Sequence, residues 1–281
     1  MKCAWNELLA ILPLNLRQEV DRLGKDEAQE LRLRLGQPPE LVLSSGSKWL
    51  PHSVSTQDIG FVIHTASKYS PWAAATAAKG YITAPGGHRI GICGDVVVKE
   101  DKTVGIRTPT SLCIRVARDF PGIGSKAAGI SGNILVIGAP GSGKTTLLRD
   151  LIRQISNSGS PITVVDERGE LFPTGFDTGR RTDVLTGCSK AQGLDMALRT
   201  MSPCCIAVDE ITADSDCRAL TQCGWCGVRL LATAHASTLT DLRSRPLYKS
   251  LWDSRLFDSV LILRRDKTWY TERMIVCQSG T

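Results

Sequence analysis

Apolar positions in the first hundred residues change their spacing several times. "WNELLAILPLNLRQEVDRL" repeats them at helical intervals, "QELRLRLGQPPELVLSSG" alternates on either side of a Pro-Pro turn and predicts two short strands, and "TQDIGFVIHTASKYS" returns to helical spacing. "GYITAPGGHRIGICGDVVVKE" alternates again around a Gly-Gly turn, the pattern of a β-hairpin. These segments read as a mixed α/β region and name no chemistry.

Past "RVARDFPGIGSKAAGISG", where Pro and Gly gather, the pattern becomes regular. Strands are predicted over 133–137, 162–166, 204–209 and 228–233, helices over 144–156, 190–201 and 215–225, and two further strands near 257–263 and 269–276. Strands separated by helical patterns predict a mainly parallel sheet with helices on both faces. The expected organisation is a smaller mixed α/β domain over 1–112 followed by an α/β domain over 113–281.

The 281 residues suffice for two such domains, and 42% hydrophobic with 22% charged residues is an ordinary soluble composition. A net charge of +6 permits an anionic partner, but Lys and Arg are interleaved with acids, with neither the basic stripe nor the aromatic run of a nucleic-acid binder, so none is expected. The uncharged stretch 127–143 contains five glycines and a proline and cannot supply the roughly 20 apolar residues of a membrane span. "MKCAWNELLAILPLNL" lacks the apolar core and cleavage site of a secretory signal, so a cytoplasmic protein with reduced thiols is expected. Cys217, Cys223 and Cys226 have no second Cys or His pair at zinc-site distance and read as small buried residues.

Chemistry enters at "NILVIGAPGSGKTTLLRD". Gly138, Ala139, Pro140, Gly141, Ser142, Gly143, Lys144, Thr145 and Thr146 carry the full G-x-x-x-x-G-K-[ST] pattern between an apolar strand and an amphipathic helix. Glycines let backbone amides turn around phosphate oxygens, Lys144 brings a charge to the β- and γ-phosphates, and the Thr145 hydroxyl can ligate Mg²⁺, so ATP and Mg²⁺ are the expected cofactors. Phosphoryl transfer also needs acids to complete the metal sphere and orient water. "CCIAVDEI" provides Asp209 for the metal and Glu210 for the attacking water at the carboxyl end of a strand, and the following strand, "VRLLATAH", ends in Thr233 and His235, where the imidazole can meet a γ-phosphate. A second acidic pair occurs in "TVVDERGEL".

In chain order, "GAPGSGKTT", "VVDERGEL", "LRTMSPCCIAVDEI" and "LLATAHAST" resemble the phosphate loop, Asp box, magnesium strand and His box of the type II and type IV secretion ATPases. "ELRLRLGQPPEL", "GYITAPGGHRIGICG" and "GRRTDVLTGCSKAQGLDMALRTMSP" extend the resemblance over most of the chain, to a sporulation-specific branch of that superfamily. The resemblance implies a RecA-like P-loop core in which the His-bearing strand lies between the phosphate-loop and magnesium strands. It also implies a homo-hexameric ring with nucleotide at subunit interfaces. The partner it implies is a membrane-embedded sporulation channel between mother cell and forespore, with the ATPase recruited to the inner face of a mother-cell membrane without inserting. Under the same resemblance Glu167, in the Asp box, supports the γ-phosphate and metal region from the side and Glu170 does so less directly, the alternative being an acidic strand end paired with Arg168. Arg115, Arg180 and Arg181 are candidates for an arginine crossing a subunit interface. Related ATPases often carry Gly-Glu where this chain has Asp209-Glu210. Two alternatives remain on the residues: a RecA-class nucleic-acid motor and a small-molecule kinase.

Overall fold

Pro13 has no amide proton to donate, so the first apolar run folds as two helices, Trp5–Ala10 and Leu14–Gly24. The computed structural model describes residues 3–67, 76–77, 80–173 and 175–274; the last residues of the helix expected over 56–70 and of the strand expected near 269–276 lie outside them. Contacts divide the chain into two units, Met1–Asp119 with Pro173–Phe176, and Phe120–Phe172 with Asp177–Thr281.

In the first unit, β1 (Ala28–Arg34) and β2 (Glu40–Leu43) pair antiparallel across the Pro-Pro turn, and β3 (Gly46–Trp49) follows on β2. β4 (Tyr81–Thr83) and β5 (Arg89–Lys99) form the expected hairpin. β5 also pairs with β6 (Lys102–Arg115), a strand the hydrophobic pattern does not announce. β6 contains Pro109, which cannot donate to a ladder. It is accommodated at a register shift opposite Gly94, where a Cβ would lie 2.1 Å from the Thr108 carbonyl oxygen. β6 runs on past residue 112, where the sequence places the end of the first domain. The six strands lie in the order β3-β2-β1-β6-β5-β4, and Trp5, Leu8, Leu16, Val20, Leu31, Leu33, Ile59 and Val62 share one core with the helices.

The second unit is built on β7 (Ile134–Gly138), β8 (Ile162–Asp166), β9 (Thr182–Thr186), β10 (Cys205–Val208), β11 (Arg229–Ala234), β12 (Ser259–Leu263) and β13 (Trp269–Arg273), ordered β13-β12-β7-β11-β10-β8-β9. Every neighbouring pair is parallel except β12 with β13. The period of two along a strand sends alternate residues to opposite faces. Ile134 and Val136 join Leu147, Leu148, Leu151 and Ile155 of the helix Lys144–Asn157, while Leu135 and Ile137 join Leu194, Ala197, Cys217 and Leu220 of the helices Lys190–Thr200 and Asp214–Trp225. The central strands are buried on both faces, and their carboxyl ends point one way, towards the segments that carry the chemistry.

Candidate functional site

The phosphate loop leaves the end of β7 at Gly138 and enters a helix at Lys144. Two of its glycines are required by space and conformation. A Cβ on Gly138 would lie 2.5 Å from Ser142 Oγ and 2.9 Å from the Leu263 carbonyl oxygen, and Gly143, the helix N-cap, has φ 103°, which L side chains rarely adopt. The loop Ala139–Pro140–Gly141–Ser142–Gly143 closes with Ser142 N donating to Ala139 O at 3.1 Å. The helix that follows has no side-chain cap at Gly143, so its first amides and the positive end of its dipole are left for a ligand.

Lys144 is largely buried, and its Nζ donates to Gly138 O at 2.9 Å and Ala139 O at 3.1 Å. Burial holds its ammonium below the ordinary lysine range, opposed by the charges of Asp209 and Glu210. Nζ also lies 3.1 Å from His235 Nδ1. An ammonium can only donate, so Nδ1 accepts, the ring proton sits on Nε2, and Nε2 donates to Glu210 Oε1 at 2.9 Å. Lys144, His235 and Glu210 thus form one directed chain.

β11 lies between β7 and β10, so His235, just past its end, stands between the phosphate loop and the acidic pair. Thr145 Oγ1 donates to Asp209 Oδ2 at 2.8 Å, and Thr233 Oγ1 donates to Asp209 Oδ1 at 2.6 Å. The Glu210 amide donates to Thr233 Oγ1 at 2.7 Å, and Glu210 has φ 48°. A left-handed glutamate is a strained backbone, costing about 1–3 kcal/mol, held here by its neighbours. Thr146, the next helical residue, is half-buried, and Pro140 and Gly141 are exposed.

The second acidic pair divides its roles. Asp166, at the end of β8, accepts from the amides of Glu170, Leu171 and Phe172 at 2.9, 2.9 and 3.0 Å and so shapes the loop that follows. Burial, with the nearby charge of Asp209, pushes its carboxyl up to about 6. Because the folded value lies above the unfolded one, this contribution to stability is complete below about pH 4 and is lost as pH rises through about 6. Asp166→Asn is therefore expected to lack a decline of roughly 3 kcal/mol across that window, read from urea unfolding at a series of pH values. Glu167 pairs with Lys190 Nζ at 2.7 Å, and Lys190, nearly fully buried, also lies 3.9 Å from Asp216. Arg168 does not pair with Glu167; its Nη1 is 3.7 Å from Glu210 Oε2. Asp166, Glu167, Arg168, Glu170, Lys190, Asp209 and Glu210 line a small open cleft.

The structure therefore brings Lys144, Thr145, Asp209, Glu210 and His235 into direct contact and sets Glu167 on the flank of the cleft. Lys190 and Arg168 bring cations to the cleft, and the buried Thr233 reaches Asp209 from behind it. Arg115 lies 3.7 Å from Glu30, and Arg181 donates to Gly159 O at 3.0 Å, while the Arg180 amide donates to Asn157 Oδ1 at 3.1 Å. Cys217 and Cys223 are buried in the helix-packed core with thiols pushed up to about 11, and Cys226 is exposed. Among the described residues no group of three or more His, Cys, Asp or Glu is arranged to hold a metal.

Residues 4–280 match the family model described as sporulation stage III, protein AA. The stage III sporulation protein AA of Bacillus subtilis (strain 168) is 35% identical over 296 residues, covering 98% of this chain and 96% of its own length. Among solved structures, the Legionella pneumophila ATPase DotB is similar with a TM-score of 0.56 at 18% identity, over 88% of this chain and 76% of that one. The pilus retraction motor PilT, solved with bound ADP, is similar with a TM-score of 0.59 at 17% identity, over 89% and 77%. At these identities the likeness is one of fold, and the fold is that of the RecA-like secretion ATPases.

Proposed function

The chain belongs to the sporulation stage III protein AA family, and from that premise we propose that it is a magnesium-dependent ATPase, working as a six-membered ring, that powers assembly of or transport through a membrane channel during sporulation. The observation that carries the ATPase reading is the 2.8 Å hydrogen bond from Thr145 to Asp209, which ties the phosphate loop to the acidic strand end with His235 and Glu210 beside it.

The hydroxyl of Thr145 and the carboxylate of Asp209 are hard oxygen donors that would hold Mg²⁺. The ion, when bound, neutralises charge on the phosphates of ATP. Loop amides cradle the phosphates, and Lys144 exchanges the Gly138 and Ala139 carbonyls for phosphate oxygens. Glu210 orients a water in line with the γ-phosphorus and takes its proton as the water oxygen attacks and ADP leaves. His235 loses its Nδ1 partner when Lys144 turns to the phosphates, so the imidazole transmits occupancy of the cradle to Glu210. Glu167, held by Lys190, faces the water side of the cleft and supports that arrangement. Arg168 is an exposed cation at the same rim and competes for Glu210 until substrate fills the cleft.

Ring assembly and the channel partner rest on family membership. No helix among the described residues is long and apolar enough to cross a membrane, which fits a peripheral motor acting on a separate membrane component. Purified protein is expected to release phosphate from ATP with Mg²⁺ and to lose that activity with chelator or in Lys144→Ala. Equal release by wild type and Lys144→Ala would overturn the proposal. Stimulation by single-stranded DNA would instead favour a RecA-class nucleic-acid motor.

A further inference from the structure

The acidic machinery lies on one side of the phosphate loop and a different set of residues lies on the other. β12 is the parallel neighbour of β7 on the side away from β11, with Leu263 in register with Gly138. The chain then turns through residues 264–268 directly beside the loop. That turn is closed by Arg264 N donating to Thr268 O at 2.9 Å and by Asp266 Oδ1 accepting from Thr268 N at 2.9 Å and Thr268 Oγ1 at 2.6 Å. Lys267, at φ 68°, reaches from its tip and donates through Nζ to the Gly141 carbonyl. Its stem passes over the loop: a Cβ on Gly143 would stand 3.9 Å from Lys267 Cδ.

The polarity of the bound nucleotide follows from this arrangement, given the ATPase reading above. His235 at the end of β11, and Asp209 and Glu210 at the end of β10 beyond it, meet the terminal phosphate, so the phosphate chain enters the cradle with its γ end towards β10 and β11. The α-phosphate and nucleoside must then leave on the opposite side, over the carboxyl end of β12. We propose that the 264–268 turn is the nucleoside subsite, with Lys267 a positioning residue whose ammonium is tied back to Gly141 while its aliphatic stem forms a wall against the ribose and base. A lysine stem laid along an apolar surface with its head anchored is well suited to that contact.

The test compares binding of ATP with binding of inorganic triphosphate, which has the phosphates and no nucleoside, both by displacement of a fluorescent ATP analogue in Mg²⁺. Lys267→Asn shortens the stem with a residue that tolerates positive φ. It is expected to weaken ATP about five- to tenfold while changing triphosphate less than about twofold, the loss of a contact made only by the nucleoside. Lys267→Met keeps the stem and is expected to preserve the ratio of the two affinities. An equal loss for both ligands in Lys267→Asn would make the residue a brace of the loop alone and overturn the subsite, as would no change in either. A wild-type protein that binds neither ligand would instead remove the ATPase reading itself.

Discussion

Glu210→Gln is expected to lower ATP turnover by about 10²–10⁴-fold, the range for loss of a positioned general base. The substitution keeps size and leaves an amide oxygen to accept from His235 Nε2, where Glu210 Oε1 now accepts at 2.9 Å. It removes the group that takes the proton of the attacking water. The phosphate cradle and the Thr145–Asp209 pair do not involve the Glu210 side chain, so binding of fluorescent ATP should stay within a few-fold of wild type. Turnover that survives the substitution would move the base elsewhere, and Glu167 would be the next residue to test, since it lines the same cleft.

The phosphate loop is legible in the sequence because its chemistry is local: glycines, lysine and threonine act within a few residues of one another, between a strand and a helix whose periods are clear. Asp209 and Glu210 are legible for a related reason: they end the strand immediately before the His-bearing strand "VRLLATAH", and that chain order sets them apart from Asp166 and Glu167. Lys190 and Arg168 are not. Lys190 stands 23 residues from Glu167 at the start of another helix, and only the packing of that helix against β8 makes it a buried partner rather than a solvated cation. Arg168 adjoins Glu167 in sequence, yet the turn after β8 carries it to Glu210. Edge strand β9 escapes the pattern because its residues are only partly covered, and β6 escapes it because Pro109 counts against a strand unless the bulge at Gly94 is known. The Lys267 contact is likewise a product of topology, since β12 must first be placed beside β7.

The helix that opens with Lys144 and Thr145 is anchored by its middle, and that anchor should be the most damaging single polar truncation in the second unit. Asp150 is 1% exposed; its Oδ2 accepts from the amides of Gly122 and Gly124 at 2.9 and 2.7 Å, and its Oδ1 accepts from Arg153 Nη1 at 2.7 Å. Gly124 lies against the helix backbone, where a Cβ would stand 2.7 Å from Leu151 N, so the two amides are pressed onto the carboxylate. Asp150→Ala takes from the Arg153 guanidinium, 4% exposed, its buried carboxylate, leaving the more exposed Asp177 carboxylate 3.6 Å away, and strips both amides of their acceptor. Breaking a buried pair from one side costs about 3–5 kcal/mol, and a whole domain is stable by only about 5–15 kcal/mol. Urea unfolding should show a midpoint lowered accordingly, with a smaller drop in Asp150→Asn, which keeps an acceptor oxygen. Arg153 Nε also donates to Asp177 O at 2.9 Å, so Asp150→Ala should loosen the Asp177 loop as well, read as faster amide exchange there. ATP affinity, measured at a temperature where the variant is still folded, should be close to wild type, because Asp150 touches neither the loop nor the acids. A variant equally stable to wild type would mean that the anchor is carried by apolar packing of Leu147, Leu151 and Ile155 alone.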